Sequence, residues 1–199
     1  MKTIRTKVYS FNELSEQAQQ TAINNFRESQ QQDSDYLHFF SDDISEQLKR
    51  HHIEIDTNGL CYSLNYRQGD GLSFSGSFDV GEMVNAALPQ LSEKRQSIIK
   101  DLIHTIKSKA NNGHYCYASK SDVDIEYNYN NFYQDTHSNL YSLCETVLNH
   151  CEYLYMELCK DFEKQGYDSI EFQYSDECIK SNIEANDYQF LSNGNLFNL

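Results

Sequence analysis

The stretch IEIDTNGLCYSLNYRQGDGLSFSGSF, from Ile53 to Phe78, decides the fold class. Ile53 and Ile55 alternate with polar residues, Tyr62, Leu64 and Tyr66 do the same, and Leu72, Phe74 and Phe78 line a third run. A period of two is that of a strand with one buried face. Asn58-Gly59 carries a strong hairpin signal, because both residues tolerate the left-handed backbone of a type I′ turn. Gln68-Gly69-Asp70-Gly71 supplies the next reversal. The expectation is an antiparallel meander of three short strands.

Outward from this stretch the period changes to that of helices. Upstream, Leu14, Ala18, Ala22 and Phe26 recur every four residues with Ile23 alongside, which predicts a helix over Leu14–Ser29 capped by Asn12 or Ser15. Ile44 and Leu48 predict a shorter one over Asp42–His51. Downstream, helices are expected over Val80–Leu88 and Glu93–Lys109, the second burying Ile98, Leu102, Ile103 and Ile106. Asn111-Asn112-Gly113 ends it, and strands follow over His114–Ser119 and Asp122–Tyr129. Leu140, Leu143, Cys144, Val147, Cys151, Leu154, Leu158 and Phe162 then track one face of a long helix over Ser138–Lys164. A helix over Asp176–Asn186 with Ser175 as its cap and a terminal hairpin, Tyr188–Leu191 with Leu196–Phe197, complete the chain. The fold class is α+β: an antiparallel meander sheet packed with several α-helices, one of them long and in the C-terminal half. With 199 residues and no linker-like composition, one α+β domain over 1–199 is expected.

Composition narrows the function. The formal net charge is −14, and it is unevenly placed. Residues 1–110 carry 12 Lys+Arg and 15 Asp+Glu, a net −3, whereas residues 111–199 carry 4 and 15, a net −11. Such a chain does not bind nucleic acid directly, because phosphate contacts require clustered Lys and Arg. No run approaches the roughly 18 apolar residues of a membrane span, and no apolar segment follows the basic start Met1-Lys2-Thr3-Ile4-Arg5. Retention in a reducing cytoplasm is expected. The six cysteines, Cys61, Cys116, Cys144, Cys151, Cys159 and Cys178, form no C-x-x-C pair and are expected to be thiols, several of them buried.

Three sets of residues are candidates for chemistry. Arg67, Gln68, Gly69, Asp70 and Gly71 could form a ligand turn for a phosphate or an ion, glycines letting the backbone approach and Asp70 adding charge. The lysine and following helix of a P-loop are missing, and a hairpin whose Asp bonds its own backbone explains the same residues. Asp122, Asp124 and Glu126 fall at i, i+2 and i+4 on one strand face, about 6–7 Å apart. That is too far to grip one ion together, but it imitates a row of phosphates; a solvated sheet face is the plain alternative. Glu145 and Glu152, seven residues apart on the long helix, share one side of it. The histidines make no ligand pattern, and no nucleophile-base spacing is present. No catalytic residue, metal site or cofactor is expected, and the chain reads as no enzyme.

Three motifs carry a resemblance. F-x-E-L-S-x-x-A-x-x-x-A is present as Phe11, Glu13, Leu14, Ser15, Ala18 and Ala22. Q-G-D-G-x-S-F-x-G is present as Gln68, Gly69, Asp70, Gly71, Ser73, Phe74 and Gly76. N-D-Y-x-F-x-x-x-G is present as Asn186, Asp187, Tyr188, Phe190 and Gly194. Together they resemble a family of small phage and prophage proteins without a settled activity, which implies a phage context rather than a chemistry. With the acidic second half, that context suggests an inhibitor of the anti-CRISPR or anti-restriction type, acting in the cytoplasm of a bacterial host. Its partner would be the basic, nucleic-acid-binding surface of a protein in a bacterial defence complex. The alternative is a small-ligand protein, a sponge for a nucleotide signal or an unrecognised enzyme, using the Gly69–Gly71 turn.

Overall fold

A computed structural model describes residues 6–30, 37–110, 116, 118, 122–128 and 137–197. In chain order the elements are β1 (Tyr9–Ser10), a 3-10 turn (Phe11–Glu13), α1 (Glu16–Gln30), α2 (Leu37–Arg50), β2 (Ile53–Ser63), β3 (Gly71–Phe78), α3 (Val80–Ala87), α4 (Glu93–Leu102), β4 (Ile103–Lys109), β5 (Asp122–Tyr127), α5 (His137–Gln173), α6 (Asp176–Ala185) and β6 (Gln189–Phe190). The class is α+β, with an antiparallel four-stranded sheet in the order β2-β3-β4-β5 and a two-stranded ribbon of β1 and β6. Two compact units divide the chain: residues 1–37 with 167–199, and residues 38–166.

The larger unit is built on the sheet. β2 does not reverse at Asn58-Gly59 as the turn signal suggested. It continues to Ser63, and the register passes from Ile55↔Gly76 to Leu60↔Phe74. Four residues, 56–59, therefore face the single residue Ser75, and Asn58 holds a φ of 57°. The left-handed backbone that closes a hairpin also makes a bulge, and here the bulge wins because β3 keeps pairing beyond it. The change of register keeps the apolar face inward on both sides of the bulge: Ile53 and Ile55 before it, Leu60 and Tyr62 after it. Leu64 and Tyr66 accordingly belong to the reversal rather than to a returning strand.

A second correction concerns residues 93–109. The spacing of Ile98, Leu102, Ile103 and Ile106 predicts one helix to Lys109, but α4 ends at Leu102 and β4 begins at Ile103. Ile98, expected in the core, is exposed, while Ile99 is fully buried. β4 pairs with β3 through Ile106↔Phe78 and with β5 through Ile106↔Ile125. Pairing on both edges gives main-chain partners to groups of β3 and β5 that a helix continued past Leu102 would leave open. β5 itself matches its expected position, whereas the expected strand at His114–Ser119 lies largely outside the described residues.

α5 covers the inner face of the sheet with Cys144, Val147, Cys151, Tyr155, Leu158 and Phe162, all buried. It runs nine residues beyond its expected end. Tyr141 meets Tyr127 of β5 edge-on at 6.1 Å, and Gln165 bonds Gln47 of α2 at 2.9 Å. Between these points the Tyr155 ring packs tilted against Phe74, centroids 4.6 Å apart, and its hydroxyl bonds the main chain there. The β3–β4 register stops at Gly76↔Ser108, so among the described residues no main-chain group of β4 pairs with Phe74, whose carbonyl takes the Ser108 hydroxyl at 3.0 Å. The Phe74 N–H donates to the Tyr155 hydroxyl at 3.0 Å, and that hydroxyl donates to the Phe74 carbonyl at 3.1 Å. Tyr155→Phe strands a buried amide and should lower the unfolding free energy by about 2 kcal/mol, read as a shifted denaturant midpoint with unchanged slope. A loss under about 0.5 kcal/mol would show that water takes over the hydroxyl's bonds.

In the smaller unit, α1 and α6 bury Leu14, Ala18, Ala22, Ile23, Ile179 and Ile183 against Phe11 and Phe190. Ser15 accepts from the Ala18 amide at the start of α1, and Ser175 caps α6 by accepting from Cys178 N–H at 3.2 Å. Arg27 ties the end of α1 to the start of α6, pairing with Asp176 and donating to the Tyr174 carbonyl at 2.9 Å. The expected terminal hairpin is present as a bridge between Phe190 and Leu196, with β6 pairing to β1 as well.

Candidate functional site

Asp122, Asp124 and Glu126 lie on the exposed face of β5, alternating with Val123, Ile125 and Tyr127 on the inner one. Among the described residues β5 is the last strand of the sheet. The register places Lys109 opposite Asp122, Lys107 opposite Asp124 and Thr105 opposite Glu126, and Thr105 donates to Glu126 at 3.0 Å. Opposite charges on facing positions of a ladder favour the pairing by a few tenths of a kcal/mol up to about 1 kcal/mol. They also offset two of the three negative charges of the row. Nothing in the strand's own sequence announces this, because the lysines lie on a neighbouring strand that the periodicity had assigned to a helix.

Glu145 and Glu152 project from the exposed side of α5, where Tyr141, Tyr153 and Met156 are exposed too. At about 100° per residue these five side chains fall within a third of the helix circumference. Tyr127, under the N-terminal part of this helix, has its phenol pushed up by burial first, then by Cys144, Tyr141 and Glu145.

The Gly69–Gly71 turn is organised around Asp70. Its carboxylate is buried and accepts from Ser63 Oγ at 2.8 Å, from Asn65 N–H at 2.6 Å and from Arg67 N–H at 2.8 Å. Gly69 takes a φ of 111°, which lets the chain double back so that Asp70 can reach these donors. The arrangement is that of a turn whose Asp holds its own backbone; Arg67 and Gln68 are exposed beside it. Glu163 on α5, which sequence reasoning missed, stands near enough to feel Asp70: burial first, and then the Asp70 charge, push its carboxyl up. No spacing in the sequence links residues 70 and 163.

The three motifs behind the family resemblance all have structural work. In the smaller unit the first and third pack on each other: Phe11 meets Phe190 edge-on at 6.2 Å, and Gly194 lies against the α1 backbone at Ala18. Glu13 belongs to the same corner, where the Ser10 N–H at 2.8 Å and then the Ser10 hydroxyl at 3.0 Å hold its carboxyl below the usual range. The central motif supplies the Asp70 turn and the core residue Phe74.

All six cysteines are thiols. Burial pushes Cys144 up to about 11 and Cys151 and Cys159 up to about 12, as expected for thiols on the buried face of a helix. Among the described residues no group of three or more His, Cys, Asp or Glu side chains could hold a metal ion. No helix among them is long and apolar enough to cross a membrane. Comparison with protein families, with curated proteins and with solved structures yields no match.

Proposed function

We propose that the chain is a non-enzymatic, acidic, phage-type inhibitor that docks against the basic, nucleic-acid-binding surface of a bacterial defence complex. The observation that supports this most is the exposed face of α5, where Glu145 and Glu152 stand with Tyr141, Tyr153 and Met156. Tyrosine and methionine are enriched in protein interfaces, and carboxylates beside them select a basic partner. The net charge of −14 adds long-range attraction that speeds encounter. The β5 row is the weaker surface, because Lys107 and Lys109 stand across from Asp124 and Asp122.

The test is displacement of a fluorescent DNA duplex from reconstituted CRISPR or restriction complexes, followed by anisotropy at about 50 mM and about 200 mM salt. The wild-type chain should displace the duplex from at least one complex, more effectively at low salt. Glu145→Lys with Glu152→Lys should raise the concentration needed by about tenfold or more, equivalent to about 1.4 kcal/mol. Asp122→Lys, Asp124→Lys and Glu126→Lys together should raise it by about threefold, through the summed field. Folding should survive both sets, since exposed charges contribute little to stability. A duplex that stays bound at low salt, whatever the concentration of the chain, would sink the reading.

A further inference from the structure

Two cysteines with no relation in sequence meet in the larger unit. Cys61 lies on β2, on the face opposite Leu60 and Tyr62, and Cys116 falls in the connection from β4 to β5. Their sulfurs are 3.3 Å apart, although 55 positions separate the residues. Cys116 is held there by its backbone, whose N–H donates to the Gly69 carbonyl at 3.3 Å. Directly across the ladder from Cys61 is Ser73, fully buried, whose hydroxyl has no hydrogen-bond partner among the described residues. A buried hydroxyl without a partner is uncommon in a native structure. As the ladder partner of Cys61, Ser73 carries a spare donor on the neighbouring strand, on the same face of the sheet.

We propose that Cys61 and Cys116 form a thiol oxidation site that closes reversibly into a disulfide when the chain meets a peroxide. The two thiols differ in access. Cys61 is half-buried and reachable, whereas Cys116 is buried, and burial first and its bond to Cys61 second push it up to about 12. Cys61 is therefore the sulfur that the peroxide reaches. Its sulfur takes one oxygen and becomes a sulfenic acid, and the peroxide leaves as water. The Cys116 sulfur then attacks the Cys61 sulfur, the S–O bond breaks, and the Cys116 proton leaves with the hydroxyl as a second water. The peroxide has supplied the two-electron oxidation. Bond formation draws the sulfurs from 3.3 Å to about 2.05 Å.

The three thiols of α5 do not pair with one another. Cys144 and Cys151 are seven residues apart on α5, and Cys151 and Cys159 eight, which puts each pair about 10–12 Å apart along the axis. Disulfide geometry needs Cα atoms within about 7 Å. The bridge would tie β2 to the β4–β5 connection across a loop of 55 residues. Long closed loops constrain the unfolded chain most, so oxidation should raise the thermal midpoint by several degrees.

The experiment uses the full chain, fully reduced and then treated with a small excess of hydrogen peroxide. Intact mass should fall by about two hydrogens, a non-reducing peptide map should join Cys61 to Cys116, and the raised midpoint should return to its reduced value with a thiol reductant. Cys61→Ser and Cys116→Ser should each abolish both the bridge and the shift, and Ser73→Ala should slow bridge formation. The peptide map of the wild-type chain decides the matter even if the serine variants fold poorly. Three results would overturn the proposal: oxygen added at Cys61 with no bridge, a bridge to any other cysteine, or no loss of thiol at a dose that oxidises glutathione.

Discussion

Asp70→Ala should lower the unfolding free energy by about 3 kcal/mol, and Asp70→Asn by only about 1 kcal/mol. The difference follows from the three bonds that converge on the carboxylate. One oxygen takes the Ser63 hydroxyl, and the other takes both the Asn65 and the Arg67 N–H groups. Alanine removes both acceptor oxygens, and with them all three bonds, and leaves the Asn65 and Arg67 amides of a part-buried turn without their acceptor, where donors shielded from water carry most of their desolvation cost. Asparagine keeps one carbonyl oxygen for the two amides and turns its NH2 toward Ser63, whose hydroxyl can rotate to accept. Removing the charge also relieves Glu163, whose carboxyl is pushed up by burial and by Asp70, and this offsets part of the loss. Denaturant unfolding of the three proteins at neutral pH checks the order. Equal losses for Ala and Asn would mean that the charge itself is needed there, as a bound ion or ligand would require.

Gly194→Ala should cost about 3 kcal/mol or more and should act on the smaller unit. Gly194 holds a φ of +86°, and a Cβ built there collides with the Ala18 carbonyl oxygen and comes within 3.0 Å of its carbon. Both penalties fall on main chain, so no side-chain rotation relieves them. The tail cannot simply back away either, since the Gly194 N–H donates to Leu191 at 2.9 Å and Asn195 bonds Asn25 at 3.2 Å. Hydrogen exchange read unit by unit locates the effect: amides of α1 and α6 should lose protection while those of β3 and β4 keep theirs. Protection lost uniformly would show that the two units unfold together.

Local chemistry alone determined much of this protein. The stripe Leu14-Ala18-Ala22, the Ser175 cap, the buried face of α5 and the in-out alternation of β5 could all be read from residue order, because each depends on neighbours within a few positions. The acidity of the second half was equally visible, and so was the turn-forming part played by Asp70. Tertiary structure decided the remainder. Asn58-Gly59 and Ile103–Lys109 are each compatible with two backbones; pairing with β3 selected a bulge in the first and a strand in the second, since a ladder formed along a whole edge outweighs a local preference. The lysines that oppose the β5 carboxylates, the nearness of Glu163 to Asp70, the Tyr155 hydroxyl in the sheet and the Cys61–Cys116 contact all join residues distant in sequence. No pattern along the chain encodes them, because each exists only after β3, β4 and α5 have been brought together by burial.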